Sequence, residues 1–169
     1  MKTILILRHA KSDWSDPLLA DFDRPLARRG LKDAPRMGTV LADFDCLPDA
    51  ILSSPARRAR QTAELAAEAC GFRGTIQWHD SFYGAAPQTL LNALRRLPNH
   101  VSRPMLVGHN PTMEETVAML LSAGDALSIR MPTAALACLE VSVSGWQALQ
   151  PGQAMLRWFL IPKLVKALR

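Results

Sequence analysis

Hydrophobic residues along the chain fall into short unbroken runs, separated by longer stretches in which apolar and polar residues alternate at helical spacing. The first run, TILIL (3–7), is apolar throughout, as expected for a strand covered on both faces of a sheet. DAILSS (49–54) and RPMLVGH (103–109) have the same form, and each ends in small or polar residues. Weaker patterns predict two further strands, over GTIQWHD (74–80) and AMLRWFLIP (154–162).

The segment LEVSVSG (139–145) differs from the other strand candidates because its apolar and polar residues alternate one by one. Such alternation is typical of a strand with one solvated face, so we expect a more exposed strand at an edge of the sheet. The intervening stretches are rich in helix-forming residues, although Pro35 has to fall in the first turns of its helix or kink it. Helices are predicted over 28–44, 56–70, 87–97 and 111–124.

The alternation of strands and helices predicts an α/β fold. We expect a three-layer α/β/α sandwich, with a mostly parallel central sheet and an antiparallel edge strand. The chain shows no repeat, linker or low-complexity tract, so residues 1–169 are predicted to form a single domain.

Composition excludes several classes of protein. No apolar run reaches the roughly 18 residues that span a bilayer, and the apolar run near the N-terminus is too short for a signal peptide. We therefore expect a cytoplasmic protein without a membrane partner. Cys46, Cys70 and Cys138 are scattered without metal-ligand spacing, which argues against a disulfide framework or a zinc site.

The formal net charge is +5, and arginine predominates over lysine. The arginines are dispersed, aromatic residues are few and no nucleic-acid-binding motif is present, so no nucleic-acid partner is expected. A modest positive field suits an anionic substrate or an acidic protein partner.

Basic and imidazole side chains follow three of the predicted strands. Arg8 and His9 come after the first strand, Arg57 and Arg58 after the second, and His109 ends RPMLVGH. The carboxyl ends of parallel strands meet at one edge of a sheet, where ligands gather. Arginine forks, histidines and the N-termini of the following helices together predict a pocket for a tetrahedral dianion such as phosphate.

Taken together, RHA (8–10), SSPARRARQTA (53–63) and VGHNP (107–111) resemble the histidine phosphatase superfamily, which includes phosphoglycerate mutases and many phosphatases. The short length, with DFDRPLARRG (21–30) and MPTAALACLEV (131–141), is most similar to the SixA-like phosphohistidine phosphatase branch. Ala10 stands where many members have glycine. The resemblance implies a phosphoglycerate mutase-like fold.

The same resemblance implies the roles of the site residues. His9 would attack phosphorus and become transiently phosphorylated. The superfamily pattern S-P-x-x-R-A-x-Q-T aligns with Ser54 onward, and it gives the phosphate-binding role to Arg58 rather than Arg57. Arg8 and His109 would complete the phosphate ligands. No cofactor and no metal are required.

A general acid is harder to assign. Asp80 lies about where many superfamily members have an acidic residue, and Asp13 is a second candidate; both are equally compatible with ordinary loop acids. A phosphohistidine substrate needs little acid catalysis, because imidazole leaves phosphorus more readily than an alkoxide does. Further phosphate or leaving-group contacts are expected from Lys11, Ser12 and Asn110, whereas Asp23 and Arg24 are expected to form a structural ion pair.

Three functions remain open. The favoured one is a metal-independent phosphatase acting on phosphohistidine in a protein, because residues 81–102 leave no room for the lid with which larger members enclose small substrates. The second is a phosphatase or mutase of a small phosphometabolite. The third is a catalytically inactive phosphate-binding module, which would be expected to lack His9 or a phosphate ligand. A metal site built from His9, His79 and His109 is a remote alternative, because no two of them have helix-turn spacing.

Overall fold

The computed structural model describes residues 1–122, 124 and 127–168 and contains one six-stranded sheet. Strands and helices alternate through most of this part of the chain, as the hydrophobic pattern predicts. The strands are β1 Lys2–Arg8, β2 Ala50–Ser53, β3 Ile76–Trp78, β4 Pro104–Gly108, β5 Leu136–Val141 and β6 Ala154–Leu160. The α-helices are α1 Arg28–Asp43, α2 Arg57–Cys70, α3 Pro87–Arg95, α4 Thr112–Leu121 and α5 Pro162–Ala167.

The strand order in the sheet is β3-β2-β4-β1-β5-β6. Strands β1 to β4 are mutually parallel, whereas β5 is antiparallel to both β1 and β6. The expected mostly parallel α/β sheet with an antiparallel edge is confirmed.

One detail of that edge differs from the prediction. The strand expected over 139–145 spans Leu136–Val141, lies one position in from the edge and is largely buried. The edge position is taken by β6, whose middle residues are exposed. The alternating segment over 139–145 overlaps only the last three residues of β5, so its alternation does not describe the burial of the strand.

Two hydrophobic clusters cover the two faces of the sheet, which explains the unbroken apolar runs in the central strands. Ile4 and Ile6 of β1 point into a cluster with residues of α3 and α4. Leu5 and Leu7 point into the opposite cluster, with residues of α1, α2 and α5. Since successive side chains of a strand point to opposite faces, a strand between two helical layers has to be apolar at every position.

Helix α1 packs closely against two neighbours through its glycines. A Cβ at Gly30 would lie 2.3 Å from the carbonyl oxygen of Lys11, and a Cβ at Gly38 would lie 2.3 Å from that of Ala66 in α2. Pro35 is the eighth residue of α1, and the helix continues through it to Asp43. These contacts fix α1 against the loop that follows β1.

The three cysteines are free. Among the described residues, no helix has both the length and the apolar character needed to cross a membrane.

Candidate active site

His9 lies at the carboxyl end of β1, where its backbone is held from both sides. Its N–H donates to the Gly108 carbonyl of β4 at 2.9 Å, and its carbonyl accepts from the Ala134 N–H at 3.1 Å. The side chain is buried, and Nδ1 lies 2.8 Å from the Ala10 carbonyl oxygen. A carbonyl can only accept, so Nδ1 carries the proton of the neutral ring and Nε2 keeps its lone pair.

The surroundings of His9 favour that neutral form. Burial lowers the pKa of His9 to about 3, and the charges of His109, Arg58 and Arg8 act in the same direction, while the hydrogen bond to Ala10 opposes them. A buried ring that is neutral at pH 7, with one nitrogen fixed as donor, is suited to nucleophilic attack through the other.

His109 lies just after β4, with its ring centroid 5.1 Å from that of His9. Its Nε2 is 2.8 Å from the hydroxyl oxygen of Ser54, which also accepts a hydrogen bond from the Ala56 N–H at 3.3 Å. If Ser54 donates its own proton to Nε2, the proton of neutral His109 is on Nδ1. This Nδ1 is buried and has no hydrogen-bond partner among the described residues.

Burial first, and then the positive charges of Arg58 and Arg8, lower the pKa of His109 to about 4, against an opposing effect of Asp21. His109 is therefore a neutral hydrogen-bond donor near pH 7 and not a fixed cation.

Arg8 and Asn110 are held by one backbone carbonyl at the other side of the site. Arg8 Nη1 and Asn110 Nδ2 donate to the Met131 carbonyl at 2.7 and 3.1 Å. The Met131 N–H in turn donates to Glu114 at 2.7 Å. Arg8 Nε and Asn110 Oδ1 are buried without a hydrogen-bond partner in the described part of the chain. Buried polar groups are nearly always paired in folded proteins, so an unpaired donor on Arg8 and an unpaired acceptor on Asn110 indicate a place for a polar ligand.

The two adjacent arginines of α2 differ in environment. Arg58 is buried and Arg57 is exposed. Arg58 interacts electrostatically with Arg8 and with both histidines, so it faces the same site. Its guanidinium group is bound by Asp21 in two places, with Nη1 2.5 Å from the backbone carbonyl and Nη2 2.9 Å from the carboxylate.

Asp21 and Tyr83 are site residues that the sequence did not single out. The Tyr83 hydroxyl donates to the Asp21 carboxylate at 2.8 Å, and the Tyr83 ring meets the His109 ring edge-on with centroids 5.5 Å apart. Phe22 packs edge-on against Tyr83 at 5.1 Å. Burial alone would raise the pKa of Asp21, but hydrogen bonds from Tyr83 and Arg58 outweigh it, so the pKa is lowered. Asp21 is thus an ionised anchor for Arg58. The acidic segment DFD was the available signal, but spacing alone did not show which residue it faces.

The two candidate general acids, Asp13 and Asp80, are not hydrogen-bonded to the histidines of the site in the described part of the chain. The Asp13 carboxylate accepts from the Ser15 N–H at 2.8 Å, and this hydrogen bond lowers the pKa of Asp13. Asp80 is exposed, and the residue of its segment that contacts His109 is Tyr83. Among the described residues, no hydrogen bond joins either carboxylate to a ring nitrogen of the site.

The remaining predicted residues lie beside the site. Lys11 is exposed, and its backbone carbonyl accepts from the Ala27 N–H at 2.8 Å. The Ser12 hydroxyl is buried and accepts from Trp14 Nε1 at 3.0 Å. The ion pair expected between Asp23 and Arg24 is replaced by one between Arg24 and Asp21, with 3.9 Å between Nε and Oδ1. The reason is the tight turn over 21–23, which carries Asp21 rather than Asp23 towards the arginines.

No group of three or more His, Cys, Asp or Glu side chains in the described residues is arranged to hold a metal ion. His9, His79 and His109 therefore do not form such a group, and the His79 ring stacks on Phe82 with centroids 4.8 Å apart.

Several known proteins are similar to this chain in sequence and in fold. The family model for branch 1 of the histidine phosphatase superfamily matches residues 4–82. An uncharacterized protein of Mycobacterium tuberculosis is 35% identical over 164 residues, covering 93% of this chain and 100% of that protein. The chain belongs to the histidine phosphatase superfamily. The expected family is confirmed.

Solved structures place this histidine phosphatase in the SixA-like branch. The presumed phosphohistidine phosphatase SixA of Agrobacterium tumefaciens is 35% identical, with a TM-score of 0.80 and coverage of 95% of this chain and 98% of that one. The corresponding protein of Nakamurella multipartitia is 26% identical, with a TM-score of 0.81 and coverage of 95% and 96%. The phosphoglycerate mutase-like fold of this histidine phosphatase is thus confirmed.

Proposed function

We propose that this phosphatase hydrolyses phosphohistidine in a protein through a transient phosphoryl group on its own His9. The observation that carries the proposal is the neutral, buried His9 ring, whose Nδ1–H is tied to a carbonyl and whose Nε2 is left to attack. Arg8 Nε and His109 Nδ1 are buried without a hydrogen-bond partner among the described residues.

In the first step, His9 Nε2 forms a bond to phosphorus as the bond from phosphorus to the substrate imidazole breaks. The departing imidazole leaves as a neutral ring when its other nitrogen is protonated beforehand. In the second step, water forms a bond to phosphorus and the bond to His9 breaks, releasing phosphate. Arg8, Arg58 and His109 donate hydrogen bonds to the phosphoryl oxygens, where most of the catalysis of phosphoryl transfer acts.

The general acid is proposed to be dispensable for phosphohistidine. Within the described part of the chain, neither Asp13 nor Asp80 has a hydrogen bond to a site side chain, and imidazole is a good leaving group. Asp13→Asn and Asp80→Asn should each keep kcat/KM for phosphohistidine within about threefold. A larger loss at Asp80 would make it the acid.

The substrate class is tested by a panel of a phosphohistidine protein, a phosphoserine peptide and sugar phosphates. We expect the highest kcat/KM for the phosphohistidine protein. His9→Ala should abolish turnover and leave the circular dichroism spectrum unchanged, and labelled substrate followed by alkali should trap a base-stable, acid-labile phosphoenzyme only in the wild type. Faster turnover of sugar phosphates would favour a phosphometabolite enzyme, and binding without turnover an inactive phosphate-binding module.

Metal independence is tested separately. The positive charge at the site is assigned to arginine side chains, so turnover should be unchanged after dialysis against EDTA. Loss of activity on chelation, with recovery on adding a divalent ion, would contradict a metal-free mechanism.

A further inference from the structure

A groove of about 460 Å³ between α1 and α5 is lined by five cationic side chains, and we call it the basic groove. Its floor is partly apolar, with Pro132, Ile161 and Pro162. The cationic residues are Arg29, Lys32, Arg36, Lys163 and Lys166.

Helical spacing brings these charges together. Arg29, Lys32 and Arg36 recur at the three- and four-residue intervals that share one face of a helix, and Lys163 and Lys166 do the same on α5. The two helices are in contact, with Val165 of α5 buried in the cluster that α1 helps to form. The two cationic faces therefore border a single groove.

One carboxylate in the basic groove compensates part of this charge. Asp33 is buried and pairs with Arg29, with 3.4 Å between Nε and Oδ2, and with Arg36. The three lysines are exposed and form no salt bridge within the described residues. Like charges held this close repel one another and oppose folding, so their clustering indicates an interaction with an anionic partner.

The basic groove begins beside the active site. Arg29 Nη2 donates to the Thr133 hydroxyl at 3.0 Å, and Pro132 and Thr133 line the groove. One residue before Pro132, the Met131 carbonyl accepts from Arg8 Nη1. Since consecutive Cα atoms are about 3.8 Å apart, the groove starts within roughly 8 Å of chain from the carbonyl that positions a phosphate ligand. The segment over 131–133 thus contributes both to the active site and to the basic groove, which makes the two neighbours on the surface.

We propose that the basic groove docks an acidic segment of the phosphorylated protein substrate. The proposal rests on the proposed function and names the surface chemistry of the protein that carries the phosphohistidine. Carboxylates of the segment would pair with the lysines at the rim, and an aliphatic side chain would contact the floor. Nucleic acid fits less well, because the lining residues include a carboxylate and no aromatic ring on which bases could stack.

Binding is measured first, without catalysis. The probe is a fluorescent, unphosphorylated helical peptide with several glutamates and two leucines, titrated at low ionic strength. K163E/K166E should weaken binding by at least about tenfold, since two attractions become repulsions. The control R73E/R96E changes the net charge equally at two exposed positions outside the basic groove, one before β3 and one at the end of α3, and should stay within about twofold. Equal weakening in both variants, or tighter binding of a single-stranded RNA oligonucleotide than of the peptide, would overturn the proposal.

Turnover then separates docking from chemistry. For K163E/K166E we expect a loss of at least about tenfold in kcat/KM towards an acidic phosphohistidine protein and no change towards phosphoimidazole. A similar loss with both substrates would overturn docking. A wild-type enzyme inactive on both substrates would contradict the proposed function, while the peptide titration would still decide the role of the groove.

Discussion

Arg57 and Arg58 are adjacent in the chain, but their side chains lie in opposite environments. Consecutive helical residues point about 100° apart, so the start of α2 can turn only one of them towards the histidines. Arg58 is buried and bound by Asp21, whereas Arg57 is exposed. The chain thus contains a matched pair for testing the difference between a bound guanidinium and a general positive charge.

Arg58→Ala should lower kcat/KM by about 10²–10³, the usual cost of removing one donor to a developing charge. Lysine at this position should restore little, because a point charge does not reproduce the two-pronged donor. Arg57→Ala should cost less than about tenfold, through weaker steering of the substrate. Steady-state kinetics of the three variants decide the assignment, and an equal or larger loss at Arg57 would contradict it.

Ser54 is expected to affect turnover through its contact with the His109 ring. It is buried, accepts from the Ala56 N–H and lies 2.8 Å from His109 Nε2. When Ser54 donates to His109 Nε2, His109 Nδ1 carries the proton, and this buried atom has no hydrogen-bond partner among the described residues.

Ser54→Ala should lower kcat/KM by about tenfold, since one hydrogen bond of about 1 kcal/mol no longer fixes the tautomer. The ring ¹⁵N chemical shifts of His109 should change at the same time. Ser53→Ala is the matched control, because Ser53 is equally buried but donates to a backbone carbonyl. Unchanged ¹⁵N shifts in Ser54→Ala would refute the tautomer role.

At the scale of the element, α1 depends on close approach to α2. The position of a Cβ at Gly38 is 2.3 Å from the Ala66 carbonyl oxygen, and backbone atoms can move away only if the two helices separate. Helix propensity acts in the opposite direction, because alanine is favoured over glycine by about 1 kcal/mol in a helix interior.

Gly38→Ala should therefore lower the free energy of unfolding by about 1–3 kcal/mol, the range for overpacking in a well-packed interior. Urea denaturation measures this difference. Leu31→Ala at an exposed position of the same helix should change stability by less than about 0.5 kcal/mol. If Gly38→Ala is more stable than the wild type, propensity outweighs the contact with α2.

At the scale of the whole molecule, the two buried histidines make stability depend on pH. Their pKa values of about 3 and about 4 lie below the ordinary value of 6.5. At pH values between the folded-state pKa of each histidine and 6.5, the unfolded chain binds a proton at that histidine and the folded chain does not. Stability is therefore fully present above about pH 6.5 and decreases as the pH falls through 6 and 5.

Thermal denaturation between pH 7 and pH 4 should show a falling Tm in the wild type and a shallower fall in the double variant His9→Gln/His109→Gln. His100→Gln is the control, since His100 is exposed. A slope that is the same in the wild type and in the double variant would show that neither histidine titrates differently on folding.

Much of the architecture could be predicted because the sequence patterns that indicate strands and helices involve only neighbouring residues. The apolar run over 3–7 is needed wherever a strand has helices on both sides, and it became β1 at the centre of the sheet. Motifs placed at strand ends brought His9, Arg58 and His109 within reach of one another, because parallel strands share a carboxyl edge. The strand after residue 131 was misplaced, since its pairing with both β1 and β6 is a long-range property.

The sequence by itself thus determined the α/β class and most of the helix and strand positions, because hydrophobic periodicity is a property of neighbouring residues. Its resemblance to the superfamily pattern selected Arg58 rather than Arg57. Only the tertiary structure decided that Asp21, and not Asp23, binds Arg58 and that Ser54 meets His109. It also joined the cationic faces of α1 and α5, which are separated by most of the chain. Such contacts depend on how loops close and which faces of distant elements pack, and no local pattern encodes that.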